Sequence, residues 1–203
     1  MSIYIPKHFT GDAAAAQALI AAHPFATLIT AGAKDGVHVT HLPLLLDGET
    51  LLGHVARVNP HWRAFTEGAT VAVFHGPHAF VSRGWYPDPA DNVPTWNYAT
   101  VHVTGQPELC DARVAVETLA ARFEPASLPP LPEAKVSRLV EGIVAFRLPL
   151  TQVEVKLKLS QNKSAAEIDN LIAGLKGTGE PEALATAGWM QRISSSRSRG
   201  EPG

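Results

Sequence analysis

Asp35-Gly36 and Asp47-Gly48 separate three short apolar runs, and this spacing restricts the fold more than any other feature of the chain. Asp-Gly between β-branched or alternating runs is a tight-hairpin signal, because glycine accepts the positive φ that such turns need. FATLITA (Phe25–Ala31), VHVTHLPLLL (Val37–Leu46) and TLLGHVAR (Thr50–Arg57) therefore read as consecutive strands, with Pro43 marking a bulge or an edge.

The rest of the chain extends this pattern. Alanine-rich Ala13–Ala22 begins at a capping Asp12 and stops before His23-Pro24, which reads as a helix. Asn59 with Pro60 in the first helical position starts another. Ala69–His75 and His78–Ser82 read as two strands broken by Gly76-Pro77. Trp85–Pro94, with its prolines, is a loop, and Tyr98–Glu108 reads as a long strand with a bulge expected at Gly105. Ala112–Phe123 and Glu133–Glu141 read as helices around a proline-rich linker, Glu124–Pro132. Ile143–Leu159 is strand-like with a break at Pro149, and Lys163–Leu175 and Pro181–Met190 are helical. Short consecutive strands joined by tight turns, with few helices inserted, indicate an antiparallel sheet closing into a barrel with helices packed around it. Residues 1–175 are expected to form the main domain, 176–193 a helical extension and 194–203 a disordered polar tail.

Charge and cysteine content narrow the function. The net charge is -2, from 17 Lys+Arg against 19 Asp+Glu, whereas phosphate-backbone binders carry a basic excess. No recognition-helix motif is present either, so direct DNA binding is not expected. The single cysteine, Cys110, excludes an internal disulfide and fits a reducing cytoplasm. No apolar run reaches the ~20 residues that cross a bilayer.

Several chemistries are missing. Nine histidines are present, but no helical i,i+4 pair and no Cys-x-x-Cys, so no metal site is expected. No nucleophile elbow surrounds Ser82, Ser160 or Cys110, and no glycine-rich phosphate loop occurs. A phosphorylated ligand would have to be held by side chains and scattered amides. Two segments offer them: Thr40–Leu42, and KLKLSQNKS (Lys156–Ser164). In the second, Lys156 and Lys158 share one strand face, and Ser160, Gln161 and Asn162 follow just before a helix start. A solvated strand end followed by an ordinary helix cap fits that spacing equally well.

YIPKHF (Tyr4–Phe9), HPFATLIT (His23–Thr30), THLPLLLD (Thr40–Asp47), GHVARVNPHWR (Gly53–Arg63), FHGPHAFVS (Phe74–Ser82), WYP (Trp85–Pro87), VPTWNYATVHVTG (Val93–Gly105) and KLSQNKS (Lys158–Ser164) together resemble the PaiB-like family of FMN-binding negative transcriptional regulators. The strings run in the family's order from the first residues to about Leu175. The resemblance implies an α+β fold, an FMN-binding split β-barrel, antiparallel and Greek-key-like, with peripheral helices. It also implies a homodimer with FMN near the subunit interface. Trp96 and Tyr98 would wall the flat flavin and Asn97 would read its polar edge. Thr40, His41 and Leu42 would line the site, with His54, Ala56 and Asn59 nearby. Lys158, Ser160, Gln161 and Asn162 would approach the phosphate or ribityl chain. VEVKLKLSQN departs from the family pattern in carrying Leu157 where an aromatic is expected, which removes a stacking partner.

The function so implied is negative regulation through flavin or metabolite sensing. An alternative is an FMN-dependent oxidoreductase of a small molecule, with His41 and His78 as proton-donor candidates and no assigned catalytic residue. A further alternative is a haem-binding or haem-degrading split-barrel protein, on the grounds of fold and histidine content.

Overall fold

The computed structural model describes residues 3–32 and 36–198. Its elements are α1 (Ala13–Ala22), β1 (Phe25–Ala31), β2 (Val37–Pro43), β3 (Leu45–Asp47), β4 (Thr50–Ala56), β5 (Thr70–Val81), β6 (Thr95–Gly105), β7 (Glu108–Cys110), α2 (Ala112–Phe123), α3 (Glu133–Glu141), β8 (Ile143–Pro149), β9 (Gln152–Lys158), α4 (Ala165–Thr178) and α5 (Pro181–Ser198). Short 3-10 helices cover Lys7–Phe9, Pro60–Thr66 and Arg83–Trp85. The strands form two sheets, ordered β2-β1-β5-β6-β9 and β3-β4-β8-β7. The chain folds as two compact units, each assembled from separated stretches.

The first unit gathers residues 20–74 and 102–153. Within it β1 pairs antiparallel with β2 and with the start of β5, placing Thr30 opposite Thr70. β4 pairs antiparallel with β3 on one side and β8 on the other, in a register that sets His54 against Ala145. Gly48, at φ +59, closes the expected turn between β3 and β4, while Asp35 of the other Asp-Gly pair lies outside the described residues. Leu28, Leu51, Phe65, Phe74, Phe146 and Leu148 fill the core, with the Phe65 and Phe146 rings in edge contact at 4.8 Å. Each such side chain gains about 1.5–3 kcal/mol from burial.

The second unit gathers the described residues among 2–19, 75–101 and 154–203. Here α4 and α5 pack together, with Leu171 and Leu175 of α4 and Ala187 and Met190 of α5 buried. Ser164 and Glu167 form a reciprocal capping box that starts α4. Gly174 lets the Trp85 ring lie against α4, since a Cβ there would come within 2.3 Å of it. The N-terminal segment lies along β9, with Thr10 bridging Lys156 and the Gly11 amide donating to Val155 O at 3.0 Å.

Four boundaries differ from the sequence reading. Val37–Leu46 is two strands, because Pro43 ends β2 and the Leu44 amide turns aside to Pro24 O at 2.9 Å. Gly76-Pro77 does not break β5; both residues are buried in succession, so the inward–outward alternation slips by one step, as at a bulge, and the strand continues. Glycine is needed there for close approach, since a Cβ on Gly76 would meet Ala99 O at 2.9 Å and Leu19 Cδ2 at 2.6 Å. The strand expected from Tyr98 begins at Thr95 and ends at Gly105, and Glu108–Cys110 forms its own strand. Finally, α5 runs to Ser198, through the start of the segment expected to be a tail; residues 199–203 lie outside the described residues.

Candidate functional site

Strand period places Thr95, Asn97 and Ala99 of β6 on one face and Trp96 and Tyr98 on the other. Asn97 is 1% exposed and Trp96 54% exposed, so the three residues of the WNY string do not wall one space. Asn97 turns inward. Its side-chain amide bonds the Ser160 hydroxyl at 2.9–3.1 Å, and its Nδ2 also reaches Met190 Sδ at 3.4 Å. Ser160 holds φ +64, a left-handed conformation that an L-residue adopts at a cost. The Ser160 hydroxyl also bonds the Tyr86 phenol, whose pKa burial raises, so the phenol stays protonated at neutral pH.

Beside this buried network is a cavity of about 350 Å³, lined by Tyr86, Asn92, Thr95, Lys158, Asn162 and Lys163 among others, Asp91 included. Lys158 Nζ donates to Thr95 Oγ1 at 2.6 Å and to the Trp96 carbonyl. Lys156, two residues earlier on the same face, donates to Tyr4 O at 2.8 Å and lies 5.6 Å from the Tyr98 ring centroid. Among the described residues neither ammonium forms an ion pair with a carboxylate. Burial first, and the neighbouring Lys156 second, lower the pKa of Lys158. Lys163 Nζ donates to Asn92 Oδ1 at 2.6 Å and sits 4.8 Å from the Tyr86 ring centroid, with Glu167 at 4.0 Å. Gln161 braces the turn: its Oε1 accepts from the Leu159 amide at 2.8 Å and its Nε2 donates to Leu157 O at 2.6 Å.

The opposite face of β6 is an aromatic shelf. Trp96 stands 6.2 Å from both the His78 and the Phe80 rings. A shallow hollow of about 400 Å³ runs past His75, His78, Trp96, Tyr98 and Thr100.

The remaining sequence candidates lie in the first unit. Leu42 is core, at 4% exposure, and His41 points outward and bonds Thr27 Oγ1 at 3.1 Å. Ala56 is exposed at the end of β4, and His54 keeps a buried Nδ1 with no hydrogen-bond partner among the described residues, its pKa lowered by burial. Thr40 accepts from Asn59 Nδ2 at 3.1 Å and bonds His61 Nδ1 at 2.7 Å. Asn59 Oδ1 meanwhile caps the 3-10 helix by accepting from the His61 amide at 3.0 Å. His61, absent from the sequence candidates, is 1% exposed and continues through Nε2 to Thr30 Oγ1 at 2.9 Å, which bonds Thr70 Oγ1 at 2.8 Å. Burial, with the stacked His38 second, lowers the His61 pKa to about 4.

Residues 3–152 match the family model described as "Putative FMN-binding domain". The chain belongs to this FMN-binding family. It is 32% identical over 203 residues to the "Protease synthase and sporulation protein PAI 2" of Bacillus subtilis, covering 93% of this chain and 97% of that protein, which places it among the PaiB-like members. An uncharacterised protein of Emericella nidulans is 26% identical over 192 residues, with 70% of this chain and 76% of that protein covered. Among solved structures, the FAD and heme binding protein from Mycobacterium smegmatis superposes with a TM-score of 0.61 at 16% identity, over 83% of this chain and 80% of that one. The flavocytochrome Anf3 from Azotobacter vinelandii gives 0.55 at 17% identity, over 72% and 67%. These likenesses establish the split-barrel fold. The family's cofactor is FMN, and the residues present suit it: unpaired ammonium groups and hydroxyl and amide donors for a phosphate and ribityl chain, and flat aromatic surface for a ring system. Tyr86, Asn92, Thr95 and Lys163 were absent from the sequence candidates, because nothing in their local patterns shows that they share a cavity with Lys158.

Proposed function

We propose that this flavin-binding protein acts as a homodimeric negative regulator that responds to FMN or to a metabolite, and that Lys158 receives the flavin phosphate. The observation that carries the phosphate assignment is the Lys156–Lys158 pair. Two cations on one strand face, one of them partly buried, have only neutral acceptors and ring faces as partners. Such an arrangement is costly without an anion and favourable with one. Asn162 adds donors, Ser160 being committed to Asn97, and Trp96 and Tyr98 offer flat surface to the isoalloxazine. Within the first unit, taken by itself, Thr40, His54 and Asn59 are the residues proposed to meet a flavin, with His41 and Ala56 nearby, whereas Leu42 is buried in the core. Bound flavin would supply reversible electron uptake, while the chain binds and orients it.

Dimerisation is supported by β2, an edge strand of its sheet whose Val37 and Val39 are 66% and 54% exposed. An uncovered apolar edge of this kind is a surface that a second copy can close. The PaiB-like membership supports the regulatory role. The net charge of -2 favours action through a partner or ligand over direct operator binding, and the lone Cys110 fits a cytoplasmic setting. Titration with FMN, followed by flavin absorbance and fluorescence, combined with sedimentation at micromolar concentration, tests the reading. The expected result is stoichiometric uptake by a species of twice 21.6 kDa. A monomer that binds FMN stoichiometrically would overturn the dimer, and sustained NAD(P)H consumption by the loaded protein would replace regulation with turnover.

A further inference from the structure

The buried chain Asn59–Thr40–His61–Thr30–Thr70 contains more information than its distances, because its hydrogens can be counted. Thr30, His61 and Thr70 are 0–1% exposed, and among the described residues their hydroxyl oxygens and ring nitrogens have no hydrogen-bond partners outside the chain. His61 is neutral at pH 7 and carries one ring N–H. If that hydrogen sat on Nε2, it and the two threonine hydroxyl hydrogens would compete for two contacts, His61–Thr30 and Thr30–Thr70. One buried hydroxyl would then lack an acceptor, at a cost of about 1–3 kcal/mol. With the hydrogen on Nδ1, Thr70 donates to Thr30, Thr30 donates to Nε2, and every buried donor is satisfied.

The count then continues outward. Asn59 Oδ1 accepts from the His61 backbone amide, which orients the side-chain amide and commits Nδ2 to donate to Thr40. The Thr40 oxygen therefore accepts twice, from Asn59 Nδ2 and from His61 Nδ1–H. Its own hydrogen has no acceptor within the network. Thr40 is the one threonine of the three that is not fully buried, so the surplus hydrogen is delivered to the end of the chain nearest solvent, where something outside can accept it.

We infer that His61 is a positioning residue: held as the Nδ1–H tautomer, it turns the Thr40 hydroxyl into an outward hydrogen-bond donor, selecting a ligand that presents an acceptor atom there. This rests on the proposed placement of Thr40 at the flavin site, where the acceptors are the ring carbonyl oxygens and unprotonated ring nitrogens of the oxidised flavin. A reduced flavin, with N–H groups at some of those positions, meets a donor facing a donor.

The tautomer and the flavin contact are tested separately. Nitrogen-15 NMR of the histidine rings in the flavin-free protein at pH 7 reports the tautomer directly, with His61 assigned by comparison with H61Q. Nδ1–H is the expected result, and Nε2–H would overturn the inference whatever the flavin does. FMN and riboflavin affinities are then measured for wild type, T40S and T40V. T40S is expected to bind like wild type, and T40V to lose roughly two- to tenfold for both flavins in the oxidised state, the scale of one neutral hydrogen bond. An Nδ1–H tautomer with unchanged T40V affinity would overturn the role assigned to Thr40 at the ligand. Wild-type protein that takes up no FMN would overturn the functional reading itself.

Discussion

Lys158→Met is the substitution that most directly tests the anion cavity. The side chain is partly buried, and its ammonium is fixed by Thr95 Oγ1 at 2.6 Å and by the Trp96 carbonyl, both neutral acceptors. One N–H and a full charge remain for a ligand. A charge-assisted hydrogen bond of this kind contributes about 1.5–3 kcal/mol, which corresponds to roughly 10- to 150-fold in Kd. Lys156 remains in the variant and keeps part of the field, so the expected loss for FMN lies toward the lower end. Riboflavin has no phosphate and should lose less than about twofold, within the scatter of a neutral surface change. Flavin fluorescence quenching measures both constants on the same protein samples. Raising salt should weaken FMN binding to wild type more than to the variant, because a partly exposed charge is screened. Equal losses for the two flavins, or no loss for FMN, would refute the phosphate role. The variant also has a stability signature with no ligand present. Because burial and Lys156 lower the Lys158 pKa below 10.5, its charged form costs stability at pH 7, and that cost disappears as pH rises toward 10.5. The flavin-free variant should therefore melt at or above the wild-type temperature at pH 7, with the gap closing in alkaline buffer.

His61 makes a pH prediction of its own. Its folded pKa of about 4 lies below the unfolded value of 6.5, so the unfolded chain binds the extra proton first and stability falls as pH drops through that window. Denaturant titrations at pH 7 and pH 4 should show wild type losing about 3 kcal/mol more than H61Q over that interval; parallel losses would contradict the buried neutral ring. Asn97→Ala should cost about 1–3 kcal/mol in the same assay, because it strips partners from the buried Ser160 hydroxyl, whereas Trp96→Ala should change unliganded stability by less than about 0.5 kcal/mol. Gly76→Ala should destabilise by about 1–3 kcal/mol, since the Ala99 backbone cannot move aside as a side chain would; a neutral result would mean that β5 yields at its bulge.

The hairpins were legible because their signals are local. Asp47-Gly48 between apolar runs and Asn59-Pro60 at a helix start each specify geometry within a few residues. The same locality misread Gly76-Pro77, where two turn-forming residues sit inside β5 because packing against Leu19 and Ala99 decides their conformation. Of the cavity, the string Lys158–Asn162 was readable as a cluster of donors. That Asn97 faces away from Trp96 and Tyr98 follows from β6 starting at Thr95 and not at Tyr98, which puts all three residues in one strand, and that Gln161 bonds its own turn follows from the geometry of the chain after β9. His61 was hidden for a related reason: in NPHW it looks like a helix-start residue, and only the pairing of β1 with β2 and β5 brings Thr40, Thr30 and Thr70 around its ring.

The register of β4 has a consequence for how the chain is made. Thr50–Ala56 finds one of its neighbours in β3 immediately, but the other is β8, which the ribosome delivers only after β5, β6, β7 and both α2 and α3 have been synthesised. For all that time Leu51, Leu52 and Val55, buried in the finished protein, belong to a short hairpin with an open edge. Contacts so distant in sequence make folding slow and leave such edges available to other chains. A nascent chain arrested before residue 143 should therefore be held by chaperones, and release of residues 143–149 from the exit tunnel is the step at which that edge is first covered.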